Sequence, residues 1–182
     1  MSRRKFFLAA AAFLLLPLFF SRGPALAAPG ESLGTAAPEA APPGVEPGSP
    51  GDFGGGLATY GLEEAFAKAA EENKHVFVYF WTDACPYCRE FTRTVMGDAD
   101  IRLSLSRDFV VASLNADRER RLARRFRLTG VPFLVFLDPE GRTASVIPGA
   151  VTTDFFLVYL EYVKTMSYTK LDFAEFVESL AR

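Results

Sequence analysis

Three short runs of apolar residues constrain what this chain can fold into. They cover residues 75–81, 109–114 and 133–137 and consist mainly of β-branched and aromatic residues. Because apolar and polar residues do not alternate in the first two, these runs predict strands that are covered on both faces. Segments with the spacing of amphipathic helices lie between the runs. This order predicts an α/β fold with helices on both faces of a central sheet.

Local signals extend this prediction to the rest of the folded unit. Residues 143–147 predict a fourth strand, which the turn at 138–141 joins to the third as a hairpin. Asp172 and Glu175 have the spacing of a capping box at the start of a last helix. Helices are predicted over about residues 62–73, 86–96, 98–105, 119–126, 152–163 and 168–180. The expected architecture is a mixed sheet of about four strands between two layers of helices.

The first 27 residues have the order of a secretory signal peptide. Residues 2–5 are cationic, residues 6–20 form an apolar run, and Ala25 and Ala27 are the small residues that precede a cleavage point. The run is shorter than the roughly 18 residues that a membrane-spanning helix needs. We expect cleavage after Ala27, with an uncleaved membrane anchor as the alternative. An arginine pair resembles the twin-arginine export motif, but the long apolar run favours the Sec route.

Residues 28–56 are predicted to be a disordered or extended linker. Of these 29 residues, 19 are Pro, Gly or Ala, and Leu33, Val45 and Phe53 are too sparse to build a core. The folded domain is then expected at residues 57–182. Removal of the signal peptide leaves 16 basic and 22 acidic side chains, a net charge of −6. This charge argues against nucleic-acid partners and restricts expected membrane contact to the signal segment.

Cys85 and Cys88 are the residues that carry chemistry. They are the two cysteines of the chain, and they follow the first predicted strand at the start of a helix. There Cys85 meets free N–H groups and the positive end of the helix dipole, which stabilise a thiolate. Cys85 is expected to attack a partner disulfide and Cys88 to resolve the mixed disulfide, without a bound cofactor. A structural disulfide, a Cu(I) half-site and an inactive remnant are the alternatives.

These residues lie in a sequence that resembles the thioredoxin superfamily over nearly all of residues 57–182. Phe80-Trp81 before the cysteines, residues 114–117 and residues 127–133 all resemble segments of that family. The resemblance implies that Pro132 is a cis-proline beside the dithiol. It also implies that the backbone of Val131 pairs with the substrate chain and that Trp81 contributes to substrate binding.

Two positions depart from the usual thioredoxin pattern. Tyr79 stands where the family usually buries an Asp, and Ser113 stands where its partner Lys is usual. Because both members of a buried ion pair are replaced together, no lone charge is left behind. A proton acceptor for Cys88 is then expected to be water, the Tyr79 hydroxyl or the leaving thiolate. A second feature, six Arg within residues 118–127, is either a solvated helix face or a docking surface for an acidic partner.

The resemblance implies a thiol–disulfide oxidoreductase of a bacterial periplasm that reduces disulfides of exported proteins. The pattern is similar to exported thioredoxin-like proteins of the SoxW type and to the thioredoxin-like domain of DsbD. It further implies a membrane thiol-relay protein as electron donor and a monomeric chain. The alternatives are a DsbA-like oxidase and a copper-binding module. Copper is disfavoured because His75, the single histidine, lies at the far end of the first strand from the cysteines.

Overall fold

The computed structural model describes residues 49–54 and 56–182, and these form a four-stranded sheet between two layers of helices. The strands are β1 (His75–Trp81), β2 (Phe109–Asn115), β3 (Phe133–Leu137) and β4 (Thr143–Pro148). The helices are α1 (Leu62–Glu72), α2 (Pro86–Thr94), α3 (Ala99–Asp108), α4 (Arg120–Arg125), α5 (Thr153–Lys164) and α6 (Phe173–Leu180). The predicted signal peptide, residues 1–27, and the predicted linker up to residue 48 lie outside the described residues.

The strand order is β2-β1-β3-β4, so that β1 and β3 occupy the middle of the sheet. β1 pairs in parallel with β2, whereas β3 is antiparallel to both β1 and β4. The predicted α/β fold with a mixed four-stranded sheet is therefore confirmed. Trp81 at the end of β1 lies beside Asn115 of β2, and Phe80 lies beside Phe133 at the start of β3. The ends of β1 and β2 and the start of β3 thus share one edge of the sheet.

The two faces of the sheet bury different kinds of side chain. Alternate residues of a strand point to opposite faces, so Val76, Val78 and Phe80 belong to one core and Phe77 and Tyr79 to the other. We call the core under α1 and α4 the aliphatic face, because most of its buried members are Val, Leu or Ala. We call the core under α2, α3, α5 and α6 the aromatic face, because Phe, Tyr and Trp dominate its large side chains.

Side-chain caps fix where several helices begin. The Asp98 carboxylate accepts hydrogen bonds from two backbone N–H groups at the start of α3, and Thr152 caps α5. The capping box predicted for Asp172 and Glu175 is confirmed at α6. Each such cap stabilises a helix by about 1 kcal/mol. None of the helices within the described residues is long and apolar enough to cross a bilayer.

Some predicted bounds differ from the structure. α3 continues to Asp108, three residues beyond its predicted end. The helical extension predicted over residues 168–180 is divided into a short 3-10 turn at Ser167–Thr169 and α6, which begins at Phe173 after its predicted cap at Asp172. The prediction that residues 28–56 all lack a core contact is wrong at its carboxyl end, because Phe53 is buried in the aromatic face. Glycine and proline suggested a linker here, but residues 50–53 pack on the domain. We call residues 50–53 the N-terminal segment.

Candidate redox site

Cys85 and Cys88 lie at the sheet edge where β1 ends and α2 begins. They form a disulfide with their Cα atoms 5.2 Å apart. Cys85 is the N-cap residue of α2 and is 7% exposed, whereas Cys88, one turn further on, is 0% exposed. Of the two cysteines, only Cys85 therefore has surface that a partner molecule can reach. This inequality fits the predicted roles of Cys85 as attacking group and Cys88 as resolving group.

The start of α2 supplies the electrostatic environment of the Cys85 sulfur. The backbone N–H of Cys88 donates a hydrogen bond to Cys85 Sγ at 3.0 Å. Pro86 occupies the first turn, where its missing N–H leaves no hydrogen bond unmade. When the disulfide is reduced, the same N–H group and the positive end of the helix dipole stabilise a thiolate on Cys85.

The segment before β3 forms the opposite wall of the site. The Val131–Pro132 peptide bond is cis, as the family resemblance predicted. The carbonyl oxygen of Val131 lies 3.6 Å from Cys85 Sγ. A disulfide sulfur carries no hydrogen, so this approach is a van der Waals contact in the oxidised state. The antiparallel pairing of β1 with β3 places Val131 beside the dithiol although 46 residues separate it from Cys85.

Trp81, the last residue of β1, is buried next to the redox site and is hydrogen-bonded to β2. Its indole Nε1 donates a hydrogen bond to Ser113 Oγ at 2.9 Å, and Ser113 Oγ donates onward to the carbonyl of Gly51, also at 2.9 Å. The indole is 1% exposed, and a Cβ added at Gly51 would overlap its ring. In this arrangement Trp81 holds the N-terminal segment in place. Its contact with substrate, which the resemblance implied, stays a prediction.

Tyr79 lies beneath the buried cysteine. Its hydroxyl donates a hydrogen bond to the carbonyl of Cys88 at 3.2 Å, and its ring packs between Phe53 and Phe91 with centroid distances of 5.3 and 5.5 Å. Burial raises the pKa of Tyr79 well above its ordinary value, although a hydrogen bond with Thr92 opposes the shift. The phenol is therefore neutral at physiological pH and acts here as a donor. Of the predicted proton acceptors for Cys88, this arrangement favours water or the leaving thiolate.

The N-terminal segment is the part of the site that sequence reasoning missed. Thr92 Oγ1 donates a hydrogen bond to the carbonyl of Pro50 at 2.5 Å, which ties the segment to α2. Gly51 and Phe53 bind it to Ser113 and Tyr79, the two positions that depart from the usual thioredoxin pattern. The available signal was Phe53 itself, the only aromatic residue within residues 28–56.

A polar network connects the loop before Cys85 to the end of β2. Asn115 Nδ2 donates a hydrogen bond to Asp83 Oδ2 at 3.2 Å, and the Arg118 guanidinium lies 4.0 Å from the same oxygen. Arg89 of α2 donates to the backbone carbonyl of Asp83. Asp83 thus fixes the loop from the exposed side. Tyr87, between the cysteines, is 71% exposed and extends into solvent.

His75 is not part of the site. It lies at the start of β1, where its Nε2 is 3.0 Å from the Tyr168 hydroxyl. Burial lowers the pKa of His75, while the carboxylates of Asp138 and Glu140 oppose the shift. Within the described part of the chain, no group of three or more His, Cys, Asp and Glu side chains is arranged to hold a metal ion.

The fold and the site together define a class of protein. A mixed sheet carries a CxxC disulfide at a helix N-terminus, and a cis-proline faces the more accessible sulfur. This is the arrangement of thioredoxin-fold proteins with a dithiol–disulfide centre. The Thioredoxin-like domain family matches residues 62–164, and the chain belongs to this family.

Known relatives agree with this assignment. The thiol:disulfide interchange protein DsbD of Ralstonia nicotianae is 34% identical over an alignment of 104 residues that covers 54% of this chain and 17% of DsbD. A thioredoxin from Thermus thermophilus is 35% identical with a TM-score of 0.55, covering 59% of this chain and 86% of that one. A thioredoxin-fold protein from Helicobacter pylori, 19% identical with a TM-score of 0.53, covers 60% of this chain and 81% of its own and supports the fold alone.

Proposed function

We propose that this protein is a periplasmic thiol–disulfide oxidoreductase that reduces disulfides of exported proteins. The observation that carries the proposal is the unequal environment of the two sulfurs. Cys85 caps α2, accepts the Cys88 N–H and lies 3.6 Å from the Val131 carbonyl, whereas Cys88 is fully buried. A stabilised thiolate at the accessible position and a protected second thiol are what stepwise exchange requires.

The exchange proceeds in two steps from the reduced protein. The Cys85 thiolate attacks one sulfur of the substrate disulfide, a Cys85–substrate bond forms, and the other substrate sulfur leaves as a thiolate that takes up a proton. Cys88 then loses its proton and attacks Cys85 Sγ. The Cys85–substrate bond breaks, and the second substrate sulfur leaves as a thiolate that takes up a proton. The substrate then has two thiols, and the protein is left with the Cys85–Cys88 disulfide of the structure. Two electrons have passed to the substrate.

The predicted substrate-binding residues have a defined task in this scheme. Val131 offers its backbone beside Cys85, so an extended substrate segment adds to the site as a short strand. Such pairing positions a substrate sulfur at the accessible thiolate. Pro132 follows Val131, and its carbonyl accepts a hydrogen bond from the Gly149 N–H at 2.9 Å, which ties this backbone to the end of β4.

One observation supports reduction over oxidation. Pro86 and Tyr87 separate the cysteines, so no cation stands between them to hold the thiolate strongly. Relatives that are thiol:disulfide interchange proteins named DsbD support exchange chemistry in general, although the chain covers only 17% of the length of the Ralstonia protein. Each catalytic cycle then needs a dithiol donor, for which a membrane thiol-relay protein is the proposed source. The predicted signal peptide at residues 1–27 supports a periplasmic location.

The two alternative functions have less support. Between β2 and β3 the chain forms α4 and no helical insertion of the kind that DsbA-like oxidases carry. Thioredoxin-like copper-binding modules usually add a His ligand to the two thiolates, and His75 lies at the other end of β1 in contact with Tyr168. Cu(I) titration of the reduced protein, set beside insulin-disulfide reduction, separates metal binding from exchange.

Trapping tests the proposed function directly. In the variant Cys88→Ser the first step is completed and the second is not, so mixed disulfides through Cys85 are expected to accumulate on exported proteins. The matched variant Cys85→Ser is expected to trap none. Equilibration with glutathione buffers then gives the direction, and a reductase is expected nearer to the ~−270 mV of thioredoxin than to the ~−120 mV of DsbA. Absence of adducts in Cys88→Ser, with the purified variant folded, would refute the proposal.

A further inference from the structure

A strongly basic surface lies on α4 and the loop after it. We call it the arginine surface, and it consists of Arg120, Arg121, Arg124, Arg125 and Arg127. All five side chains are exposed. Among the described residues, none of the five forms a salt bridge with a carboxylate. Exposed cations elsewhere in the domain commonly do, as in the Arg93–Glu90 and Arg142–Asp138 pairs.

The arginine surface is next to the redox site. Before α4, Arg118 lies 4.0 Å from Asp83, two residues from Cys85. After α4, the Leu128 N–H donates to the Ala123 carbonyl, and the chain reaches Val131 three residues later. Both ends of this segment therefore meet the walls of the site. A molecule bound at Val131 and Cys85 has the arginine surface as its neighbour.

The fold does not need this concentration of charge. α4 contributes to the aliphatic face through Leu122, and Phe126 packs on Phe80 with ring centroids 5.6 Å apart. Arg125 lies over the Phe126 ring, with its guanidinium carbon 5.8 Å from the ring centroid, while all five arginines stay exposed to solvent. Like charges three or four residues apart on a helix repel each other, so the cluster lowers the stability of α4. In a chain with more acidic than basic residues, a local positive surface is a departure from the average charge.

We propose that the arginine surface binds an acidic segment of the protein whose disulfide Cys85 attacks. The inference rests on the proposed function and adds a substrate class to it, namely proteins with Asp or Glu close to the disulfide. Guanidinium groups pair with carboxylates in a bidentate geometry, and complementary charge raises association rates. A protein ligand is favoured over lipid or nucleic acid because the occupant must also present a disulfide at Val131. The excess of acidic residues gives no general attraction to polyanions.

The test compares two disulfide peptides of the same length. One carries Asp and Glu on both sides of its disulfide, and the other carries Gln and Ser at the same positions. The second-order rate constant for reduction of each peptide is measured with the prereduced full chain. At low ionic strength we expect the acidic peptide to react about tenfold faster, since steering by complementary charge is worth 10-fold or more. In about 0.5 M NaCl, where charges are screened within a few Å, the ratio is expected to approach one.

A pair of double variants assigns the effect to the surface. Arg121→Gln with Arg124→Gln is expected to lower the acidic-to-neutral rate ratio to about threefold or less at low salt. Arg107→Gln with Lys170→Gln removes the same charge elsewhere. Arg107 lies in the last turn of α3, and Lys170 follows the 3-10 turn whose Tyr168 contacts His75 at the start of β1. This control pair is expected to keep the ratio. Circular dichroism verifies that both double variants are folded.

Three outcomes would overturn the inference. Equal rate constants for the two peptides at low salt would show that the charge of the substrate does not affect its reduction. An equal fall of the ratio in both double variants would show a net-charge effect. Binding of the full chain to vesicles of anionic phospholipid that the Arg121/Arg124 variant loses, with the peptide ratio unchanged, would make the surface a membrane site. If the wild-type chain reduces neither peptide, the proposed reductase function is itself refuted. Reduction of both peptides at equal rates refutes only the role of the arginine surface, so the two failures are distinguishable.

Discussion

The aliphatic and aromatic faces of the sheet are filled by side chains of different size. On the aliphatic face, Ala65 and Ala69 of α1 are fully buried, and their small side chains let the helix lie close to the strands. On the aromatic face, rings from the strands pack against rings from the helices, as Phe77 and Phe136 do against Phe156. One face is filled by close approach of the backbone and the other by large side chains.

The difference matters because only the aromatic face lies under the redox site. Aromatic side chains combine a large apolar surface with a polar tip, and those tips hydrogen-bond buried polar groups. Tyr79 reaches the Cys88 carbonyl, Trp81 reaches Ser113, and Tyr159 contacts Ser145. An aliphatic core offers no such groups. The comparison teaches that the site needs core side chains that exclude water and also form hydrogen bonds with the polar groups around the disulfide.

The largest effect is expected where the N-terminal segment covers the aromatic face. In Gly51→Ala the new methyl group overlaps the Trp81 indole, so the segment moves away. Loss of the Ser113 hydrogen bond and of Phe53 burial should lower the free energy of unfolding by about 2–3 kcal/mol. Urea denaturation measures this, and the emission of Trp81, the single tryptophan, should shift to the red.

A matched substitution isolates the cause of that effect. Gly61 also precedes a structured element, yet a Cβ there meets nothing within 4 Å. Gly61 is the N-cap residue of α1, so Gly61→Ala is expected to lower stability by about 1 kcal/mol at most, less than Gly51→Ala does, and to leave Trp81 emission unaltered. Similar losses in the two variants would mean that the contact between Gly51 and Trp81 does not explain the stability.

The second effect tests close approach on the aliphatic face. Ala65→Leu forces three extra carbon atoms between α1 and the strands, and overpacking of this kind costs about 1–3 kcal/mol. Ala67→Leu places the same side chain on the exposed side of the same helix and is the control. Thermal unfolding of both variants measures the difference. Reduction of peptide disulfides by folded Ala65→Leu should be close to wild type, because this face does not contact the dithiol.

A smaller effect is expected from the Tyr79 hydroxyl. Tyr79→Phe keeps the ring between Phe53 and Phe91 but removes the donor to the Cys88 carbonyl. A lost hydrogen bond of this kind lowers stability by about 1 kcal/mol. Urea denaturation of the oxidised protein measures the loss. A change below the error of that measurement would show that the ring, and not the hydroxyl, accounts for the role of Tyr79.

The smallest effect concerns His75, at the end of the sheet remote from the disulfide. Burial lowers the pKa of His75 in the folded protein, so the unfolded chain binds this proton more readily. The free energy of unfolding should therefore fall as the pH drops below the ordinary histidine pKa of about 6.5 and be flat just above it. His75→Gln should remove this slope, and NMR titration of the single imidazole gives its pKa directly. An imidazole pKa above 6.5 would contradict the expectation.

The sequence predicted β1 and β3 with their bounds, because runs of β-branched and aromatic residues need both faces of a sheet to bury them. It predicted the cis bond at Pro132 through family resemblance and the cap at Asp172 through local chemistry. It did not predict the packing of Phe53, since composition over 29 residues averages out one aromatic side chain. Nor did it predict that Ser113 bridges Trp81 and Gly51, because that contact joins residues 62 positions apart.

The packing of the N-terminal segment has a practical consequence for anyone who trims this protein. A shortened chain that starts at Leu57, where the composition suggests the domain begins, would lack Phe53 and the carbonyl groups of Pro50 and Gly51. Water would then reach the Trp81 indole and the ring of Tyr79 on the side that the N-terminal segment covers. Redox measurements on such a fragment would describe an uncovered site, so chains intended for study should begin upstream of Ser49.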